Sequence, residues 1–286
     1  MTKLDTGTIG AQIRMRLPNL TPLELRVVGA ITSREYLSEN STIKEVAKDS
    51  SVSEAMVVKI AKKLGFKGFR DLRSGLVEYK QSDSANLYHE ISPDDTSAEV
   101  IQKVFHTSMQ ALEETIAILD IEAFDRAADI MHSAVHRDFY GVGGSAQIAR
   151  DVAHKFLRLG IRASTYDDAH MMMMSASVLK PQDAVIAFSH SGSTTAVLEP
   201  LKLARKMGAR TIAVTNYVQS PIAEAADVVL CSTSQGSPLL GENAAARIAQ
   251  LNILDALFVA IAKKDFASAE ANLQRTMNAV DGKREK

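Results

Sequence analysis

The chain has 286 residues, of which 46% are hydrophobic and 23% charged, so its length suggests two domains, each able to bury its own core. Its 33 basic side chains nearly balance its 34 acidic ones, which excludes a basic coat over the whole surface. The charge is unevenly placed, since residues 1–80 carry 14 basic and 9 acidic side chains. The sequence therefore predicts a small basic head before a larger acidic body.

The head is predicted to be helical, because apolar residues recur at helical spacing from Thr21 to Tyr79. Thr21-Pro22 is typical of a helix start, and one face of that first helix would bury Leu23, Val27, Val28 and Ile31. Ser41 is predicted to cap a short second helix that ends at Lys48. Ser53 would cap a third helix over 54–63, Gly65 would end it, and a fourth helix would run from 67 to 79.

Beyond a polar, turn-rich linker at 81–97, two helices are expected at 98–119 and 122–133. Short apolar runs then alternate with helical stretches, which is typical of a parallel sheet covered on both faces. The predicted strands are 138–142, 162–166, 184–188, 211–215 and 227–231, and a long apolar helix over 243–263 would close the body. The predicted fold is an all-α head at 1–80 and a doubly wound five-stranded α/β domain at 98–286.

Two short helices with a tight turn between them, the second rich in lysine, are typical of a helix-turn-helix that reads the major groove of DNA. Residues 59–80 carry seven basic and two acidic side chains. The first-turn residues Ser53, Glu54 and Met56 are placed to meet base edges. Phosphate contacts are predicted from Lys59, Lys62, Lys63, Lys67 and Arg70. The alternative is that this lysine-bearing face is merely solvated.

Two loops of the body carry the chemistry of an anion site. The first strand ends in Gly141-Val-Gly-Gly-Ser145 and passes directly into a helix, whose first amides can donate to a phosphate. The third strand ends in Ser189-His-Ser-Gly-Ser-Thr194, a cup of hydroxyls without a lysine. In the strand order 2-1-3-4-5 both loops meet at one crevice, which favours a small phosphorylated molecule. Gly141, Gly143 and Ala146 also match a dinucleotide fingerprint, with Asp167 or Asp168 as the ribose acid.

The pair of patterns Gly-x-Gly-x-Ser and Ser-x-Ser-Gly-x-Thr resembles the sugar isomerase (SIS) domain, a sugar-phosphate binding module. The head resembles the helix-turn-helix of the RpiR family of bacterial transcription regulators, through residues 52–59 and 64–72. The stretches 151–160, 168–177 and 238–247 are most similar to the branch of the family that regulates ribose and allose catabolism. The resemblance covers essentially the whole chain.

The resemblance implies which residues bind a sugar phosphate. The phosphate contacts map onto Ser145, Ser189, Ser191 and Thr194, with His190 contributing its backbone. His170 would reach sugar hydroxyls, and Arg247 would meet ligand charge. Glu242 is either a further ligand contact, a base of the kind that SIS isomerases use, or a helix-start carboxylate. Without the resemblance, His170 and the neighbouring Met171–Met174 are expected at or in the core.

These features predict a transcriptional regulator, a repressor of sugar catabolism genes, whose affinity for DNA is controlled by a sugar phosphate. It would bind a pseudo-palindromic operator as a homodimer, with pairing into tetramers left open, and would use no cofactor, metal or catalytic residue. The alternative is an aldose–ketose phosphate isomerase with an accessory head. A single cysteine, Cys231, in an apolar run and the absence of a signal peptide predict a cytoplasmic protein without a membrane span.

Overall fold

The computed structural model describes residues 6–17, 20–32, 37–81, 91–234 and 244–281. The chain divides into two compact units. The first contains residues 1–118 with the short segments 217–219 and 233–246, and the second contains residues 119–216, 220–232 and 247–286. The helix at 97–118 is therefore grouped with the head, whereas the sequence pattern assigned it to the body.

The first unit is helical. Its helices are α1 (Thr6–Arg14), α2 (Pro22–Thr32), α3 (Ile43–Asp49), α4 (Glu54–Lys63), α5 (Phe69–Gln81) and α6 (Ser97–Ile118). Helices α3 and α4 each begin with hydrogen bonds between residues that are close in sequence. Thr42 and Glu45 form a reciprocal capping box at the start of α3, and Ser53 accepts a hydrogen bond from the Met56 amide at the start of α4.

The head has its own apolar core, in which Val57, Ile60 and Leu64 of the α4 segment are almost completely buried. Val27, Val28 and Ile31 of α2 pack into the same core, but Leu23 is 38% exposed and Glu24 lies inside instead. The prediction for Leu23 was wrong because position 24 belongs to the capping box of this helix and turns inward. The predicted cap Ser41 was also one residue early, since Thr42 caps α3.

The second unit is built on five parallel strands: β1 (Arg137–Tyr140), β2 (Ser164–Tyr166), β3 (Ala184–Phe188), β4 (Arg210–Thr215) and β5 (Val228–Cys231). Their order across the sheet is β2-β1-β3-β4-β5, as predicted. The crossovers and flanking elements are α7 (Ile121–Ser133), α8 (Gly144–Arg158), α9 (Ala169–Val178), α10 (Thr195–Lys206), α11 (Pro221–Ala225), α12 (Ala244–Lys264) and α13 (Phe266–Asp281).

Each face of the sheet is covered by helices because successive strand residues point to opposite sides. Ala184, Ile186 and Phe188 of β3 pack in one core with residues of α7, α8 and α12. Val185 and Ala187 pack in the other core with residues of α9 and α10. Cys231 is buried, as expected for a core thiol.

Among the described residues, α12 is the one helix that is long and apolar enough to cross a membrane by length and composition. Its residues Ile253, Leu254, Leu257 and Ile261 are nevertheless buried in the core of the second unit. A helix with this packing is the core helix of a folded domain, and its composition is weak evidence for a membrane span.

The four consecutive methionines of α9 do not all lie in the core. Met172 is fully buried, whereas Met171, Met173 and Met174 are 47%, 40% and 64% exposed. A helix that packs on one face of a sheet can bury only one of its sides, so a run of four apolar residues must turn some of them to solvent. The prediction that the whole run is core was wrong for these three residues.

Candidate functional site

The loops that follow β1 and β3 leave the sheet side by side. β1 pairs in parallel with β3 from Arg137 opposite Ala184 to Tyr140 opposite Ala187, so both strands end at the same edge. β2 lies on the other side of β1, which makes this the point where the order of strands reverses. Ligands of open α/β sheets bind in the crevice at this point.

The first loop depends on close backbone approach. A Cβ at Gly141 would lie 2.9 Å from the backbone carbonyl group of Ser145, so only glycine fits there. Gly143 precedes α8 with a φ of +58°, a region that L side chains rarely adopt. The Ser145 and Ala146 amides close the start of α8 by donating to the Val142 and Gly143 carbonyls at 3.1 and 3.2 Å. The half-buried Ser145 hydroxyl stands beside this helix start, whose dipole favours an anion.

The second loop gathers its hydroxyls around one buried serine. Ser189 is 3% exposed, its Oγ accepts from the Gly192 amide at 3.1 Å, and its hydroxyl donates to Thr194 Oγ1 at 3.3 Å. Ser191 is exposed, and its Oγ accepts from the amide and the hydroxyl of Ser193 at 3.3 and 3.1 Å. Thr194 precedes α10 and makes no side-chain cap bond to that helix. The loop therefore presents hydroxyls next to the start of a helix.

Residues at and after the end of β4 pack against this second loop and hydrogen-bond to it. Gly192 has a φ of +66°, and a Cβ there would lie 2.2 Å from Ser220 Oγ. The Gly192 carbonyl accepts from the Ile222 amide at 2.9 Å. The His190 carbonyl accepts from the Asn216 amide at 3.2 Å and from the Thr215 hydroxyl at 3.3 Å. The His190 carbonyl therefore holds the loop in its conformation. The contact between the His190 backbone and the phosphate stays a prediction.

Two further predicted ligand residues lie on helices of the same unit. His170 is exposed at the second position of α9, whose first turn is capped by the Asp168 carboxylate on the Met171 amide at 3.0 Å. Arg247 is exposed in the first turn of α12, and its Cδ lies 3.9 Å from the place of a Cβ on Gly144. Arg247 therefore lies against the first loop. The third residue, Glu242, lies outside the described part of the chain.

The two acids that would serve a dinucleotide are engaged elsewhere. Asp168 caps α9, and Asp167 forms an ion pair with Arg150 at 3.1 Å. Both therefore have a local structural use, which favours a phosphate monoester over a dinucleotide at the glycine loop. Within the described residues, no group of three His, Cys, Asp or Glu side chains comes together as metal ligands.

The candidate DNA interface lies on α4. Ser53 and Glu54 are exposed at its start and Met56 is half-buried, while Lys59 and Lys62 are exposed further along the helix. Lys67 and Arg70, near the start of α5, line a shallow groove of about 410 Å³. These exposed cations and the polar first turn of α4 form the surface expected of a recognition helix.

Lys63 differs from its neighbours because its ammonium group donates to the buried Glu24 carboxylate of α2 at 2.6 Å. The Glu24 carboxylate also accepts from the Thr21 amide at 2.8 Å. The Lys63 hydrogen bond, followed by the Thr21 bond, holds the pKa of the Glu24 carboxyl below its ordinary value. Lys63 thus joins α4 to α2 in addition to any contact with DNA.

Sequence reasoning missed Glu24 as the partner of Lys63 and missed the residues under the second loop. Thr21 and Glu24 have the spacing of a capping box, which could have identified Glu24 as an inward-facing residue. Ser220 and Asn216 follow or precede no recognisable motif. Only the fold brings them under residues 189–194.

In a comparison with known proteins, the head and the body of the chain each match a known domain family. Residues 7–83 match the profile of the helix-turn-helix domain of the rpiR family, and residues 130–260 match that of the SIS domain. The chain is 44% identical over 269 residues to the HTH-type transcriptional regulator RpiR of Escherichia coli strain K12, covering 94% of this chain and 91% of that protein. An HTH-type transcriptional regulator of Caldanaerobacter subterraneus is 33% identical over 94% of this chain and 96% of its own length.

Among solved structures, the Vibrio vulnificus NanR protein complexed with ManNAc-6P superposes with a TM-score of 0.63 at 24% identity, covering 96% of this chain and all of that one. Its similarity extends over both the helical head and the parallel sheet. The relatives found by sequence are named as transcriptional regulators, which favours a regulator over an isomerase.

Proposed function

The chain belongs to the RpiR family of helix-turn-helix transcriptional regulators with a SIS domain, and from this premise we propose that a sugar phosphate bound at the two loops controls its affinity for operator DNA. The observation that carries the proposal is the pairing of two hydroxyl- and amide-rich loops at the ends of the neighbouring strands β1 and β3. We place this protein in the cytoplasm, where its DNA target lies, and assign it the role of a repressor.

We assign the phosphate group to the loops themselves. Ser145 and the start of α8 would contact it from one side, and Ser189, Ser191 and Thr194 with the start of α10 would contact it from the other. Hydroxyls and helix-start amides suit a phosphate monoester because they donate hydrogen bonds without a fixed countercharge. A structural relative, NanR, was solved with the sugar phosphate ManNAc-6P, which supports this class of ligand.

The sugar part of the ligand is assigned to His170 and Arg247, with Glu242 as a further candidate. His170 is exposed at the start of α9, the helix that follows β2, and β2 is next to β1 in the sheet, so we expect its ring to reach sugar hydroxyls. Arg247 lies against the first loop, where its charge complements an anion. The resemblance to the ribose and allose branch makes ribose 5-phosphate and allose 6-phosphate the first ligands to test.

On the DNA side, we assign base contacts to Ser53, Glu54 and Met56 and phosphate contacts to Lys59, Lys62, Lys67 and Arg70. The first turn of α4 carries the polar side chains, and a recognition helix meets base edges with its first residues. The lysines further along the helix are exposed, which suits contacts to DNA phosphates that do not depend on the base sequence. Lys63 contributes less, since its ammonium group is held by Glu24.

A second copy of the chain is the partner that completes an operator complex, because one head reads only one half-site. Helix α6 exposes an uncharged apolar stripe to receive it: Ile101, Phe105, Met109 and Ile116 are 59%, 66%, 46% and 75% exposed. Their spacing places all four on one side of the helix. Apolar stripes of this kind are uncommon on monomers, and a two-fold axis would pair the stripe with itself.

The proposal is tested by fluorescence anisotropy with a labelled DNA fragment from upstream of the gene or of its neighbours. A panel of sugar phosphates including ribose 5-phosphate and allose 6-phosphate is added in turn. We expect one of them to change the operator affinity by about 5- to 150-fold, the usual range of such couplings. Specific binding that is indifferent to every sugar phosphate would remove the effector from the account.

The position of the pocket is tested with the double variant Ser189→Ala/Ser191→Ala. It should lose the response to the sugar phosphate, because both hydroxyls lie in the second loop. It should keep its operator affinity, because neither residue belongs to the head. Ser177→Ala on α9 is the matched control, since Ser177 is exposed and bonds only locally to the Met174 carbonyl. If the double variant responds like the wild type, the phosphate binds elsewhere.

A further inference from the structure

A cluster of buried polar side chains lies at the ends of β4 and β5. None of its members is among the proposed phosphate contacts. Asn216, Ser232 and Gln250 are 3%, 0% and 2% exposed. Asn216 follows β4, Ser232 follows β5, and Gln250 belongs to α12. None of the three was singled out by a motif.

These side chains form one continuous chain of hydrogen bonds. Gln250 Nε2 donates to Ser232 Oγ at 3.3 Å, and the Ser232 hydroxyl donates to Asn216 Oδ1. The last link uses the main chain, because the backbone N–H of Asn216 donates to the His190 carbonyl, inside the second phosphate loop, at 3.2 Å. Two side-chain hydrogen bonds, the covalent frame of Asn216 and one backbone hydrogen bond therefore link α12 to the loop.

The cost of burying these groups argues for a role beyond stability. A buried amide must be hydrogen-bonded to be tolerated, and a buried polar group together with its partners can often be replaced by apolar side chains of the same shape at little cost in stability. A sequence that needed only a packed core could place leucine at position 250, where the neighbouring core positions are already apolar. A polar chain that ends on the phosphate loop instead fixes how α12 and the loop move relative to each other.

Helix α12 is connected to both phosphate loops through residues three apart. Arg247 lies against Gly144 of the first loop, and Gln250 is joined to the second loop through Ser232 and Asn216. Residues at this spacing lie on neighbouring turns of the same side of a helix. The start of α12 therefore lies against the first loop and is linked by hydrogen bonds, through Ser232 and Asn216, to the second.

We propose that Gln250, Ser232 and Asn216 form a buried relay through which sugar-phosphate binding at the second loop shifts α12 and thereby controls operator affinity. The three are positioning residues, which touch no ligand atom, and the proposal rests on the proposed function. Ser232 is also the last residue of its unit before the chain returns to the first unit at Thr233. Within that unit, the Thr233 amide donates to Thr115 Oγ1 of α6 at 3.1 Å. The middle residue of the relay is therefore adjacent in sequence to a residue that is hydrogen-bonded to α6.

The test compares Gln250→Leu with Asn252→Leu in the full-length protein. Asn252 is exposed on the same helix and bonds only to the Ile248 carbonyl one turn earlier, so it controls for the substitution itself. Operator affinity is measured by anisotropy without sugar phosphate and at saturating ribose 5-phosphate or allose 6-phosphate, whichever acts on the wild type. Saturation separates a loss of coupling from weaker ligand binding.

We expect Gln250→Leu to bind the operator normally without ligand and to lose the response, with a coupling at least about fivefold smaller than that of the wild type. Asn252→Leu should respond like the wild type. Ser232→Ala removes the middle of the relay and decides the question if Gln250→Leu does not fold, as judged by circular dichroism. Unfolding of both variants would mean that the chain serves stability alone and would overturn the relay.

A wild-type response in folded Gln250→Leu and Ser232→Ala would overturn the relay and leave the proposed function standing. A wild-type protein that binds operator without responding to any sugar phosphate would overturn the proposed function, and the relay with it. The two failures are therefore distinguishable in one set of titrations.

Discussion

The recognition helix and the second phosphate loop divide their work between surface and interior in opposite ways. In α4, Val57 and Ile60 are buried and hold the helix, while Lys59 and Lys62 are exposed and available to DNA. In the loop, Ser189 and Gly192 are both buried and both shape the proposed phosphate site. Stability and function are thus carried by different residues in the head and by the same residues in the loop.

The reason lies in the chemistry of the two ligands. A DNA duplex is large and outside the protein, so cations on an exposed helix face reach it without disturbing the core. A phosphate monoester is small, and a backbone must wrap around it to offer several donors at once. Wrapping brings main-chain atoms into close contact, as at Gly192 above Ser220. The following substitutions separate or merge the two roles, in descending order of expected effect.

Gly192→Ala should have the largest effect and should damage stability and effector binding together. Its Cβ would clash with Ser220, and its φ of +66° strains any L residue, which we expect to lower the free energy of unfolding by about 2–6 kcal/mol. Urea unfolding measures the loss. Gly143→Ala is the control, since φ there is +58° but no atom lies within 4 Å of its Cβ, so it bears the strain alone. Equal losses at both positions would contradict the packing of the loop on Ser220.

Lys63→Ala should behave like a loop residue although it lies on the recognition helix. Removing its ammonium group leaves the buried Glu24 carboxylate with the Thr21 donors alone, so we expect a loss of about 1–3 kcal/mol in the free energy of unfolding. Lys62→Ala, one residue away and exposed, should leave stability within about 0.5 kcal/mol of the wild type. Indistinguishable urea midpoints for the two variants would contradict the ion pair.

The same pair predicts how stability depends on pH. Because the pKa of the folded Glu24 carboxyl is lowered from its ordinary value of 4.5, the pair stabilises the head above that pH, and the contribution is lost as the pH falls through the lowered pKa. Below pH 4.5, the free energy of unfolding of the wild type should therefore fall more steeply with decreasing pH than that of Lys63→Ala. Identical acid limbs would count against the assignment.

Lys59→Ala and Lys62→Ala should weaken operator binding and leave stability unchanged. Each removes one proposed phosphate contact, so a plot of log affinity against log salt concentration should lose about 1 in slope for each residue. Anisotropy titrations at four or five salt concentrations give the slope. An unchanged slope would move the DNA contacts to another face of the head.

Ser51→Gly should have the smallest effect and the opposite sign. Ser51 lies in the turn between α3 and α4 with a φ of +54°, the one non-glycine residue with positive φ in the described chain. Glycine relieves that strain, and after its greater flexibility in the unfolded chain we expect a gain of about 0.5–1 kcal/mol. Ser74→Gly within α5 is the control and should destabilise instead. A loss at position 51 would contradict the strained turn.

Much of the fold could be predicted because its signals are local. Continuous apolar runs marked the five strands, and the doubly wound order 2-1-3-4-5, which the structure has, placed the glycine and serine loops at one crevice. The Ser53 cap and the Gly65 turn were likewise predictable, since a cap depends on residues within one turn. The predicted strand and helix bounds lie within two residues of those in the structure.

What could not be predicted depends on contacts between distant segments. Lys63 and Glu24 are 39 residues apart in sequence and meet only after the head folds. The chain from Gln250 to Asn216 joins three elements, and buried polar residues in turns have no pattern that separates them from surface ones. The exposed methionines of α9 were missed because an unbroken apolar run has no periodicity from which to predict its buried side.

The central claim, that the sugar-phosphate site and the DNA-binding surface are coupled, is tested most directly by isothermal titration calorimetry. The sugar phosphate identified by the anisotropy panel is titrated into the free protein and into the protein saturated with operator. Coupling is reciprocal, so the ratio of the two effector Kd values should equal the ratio of operator Kd values measured with and without effector. The same effector Kd in the presence and absence of operator would contradict the account.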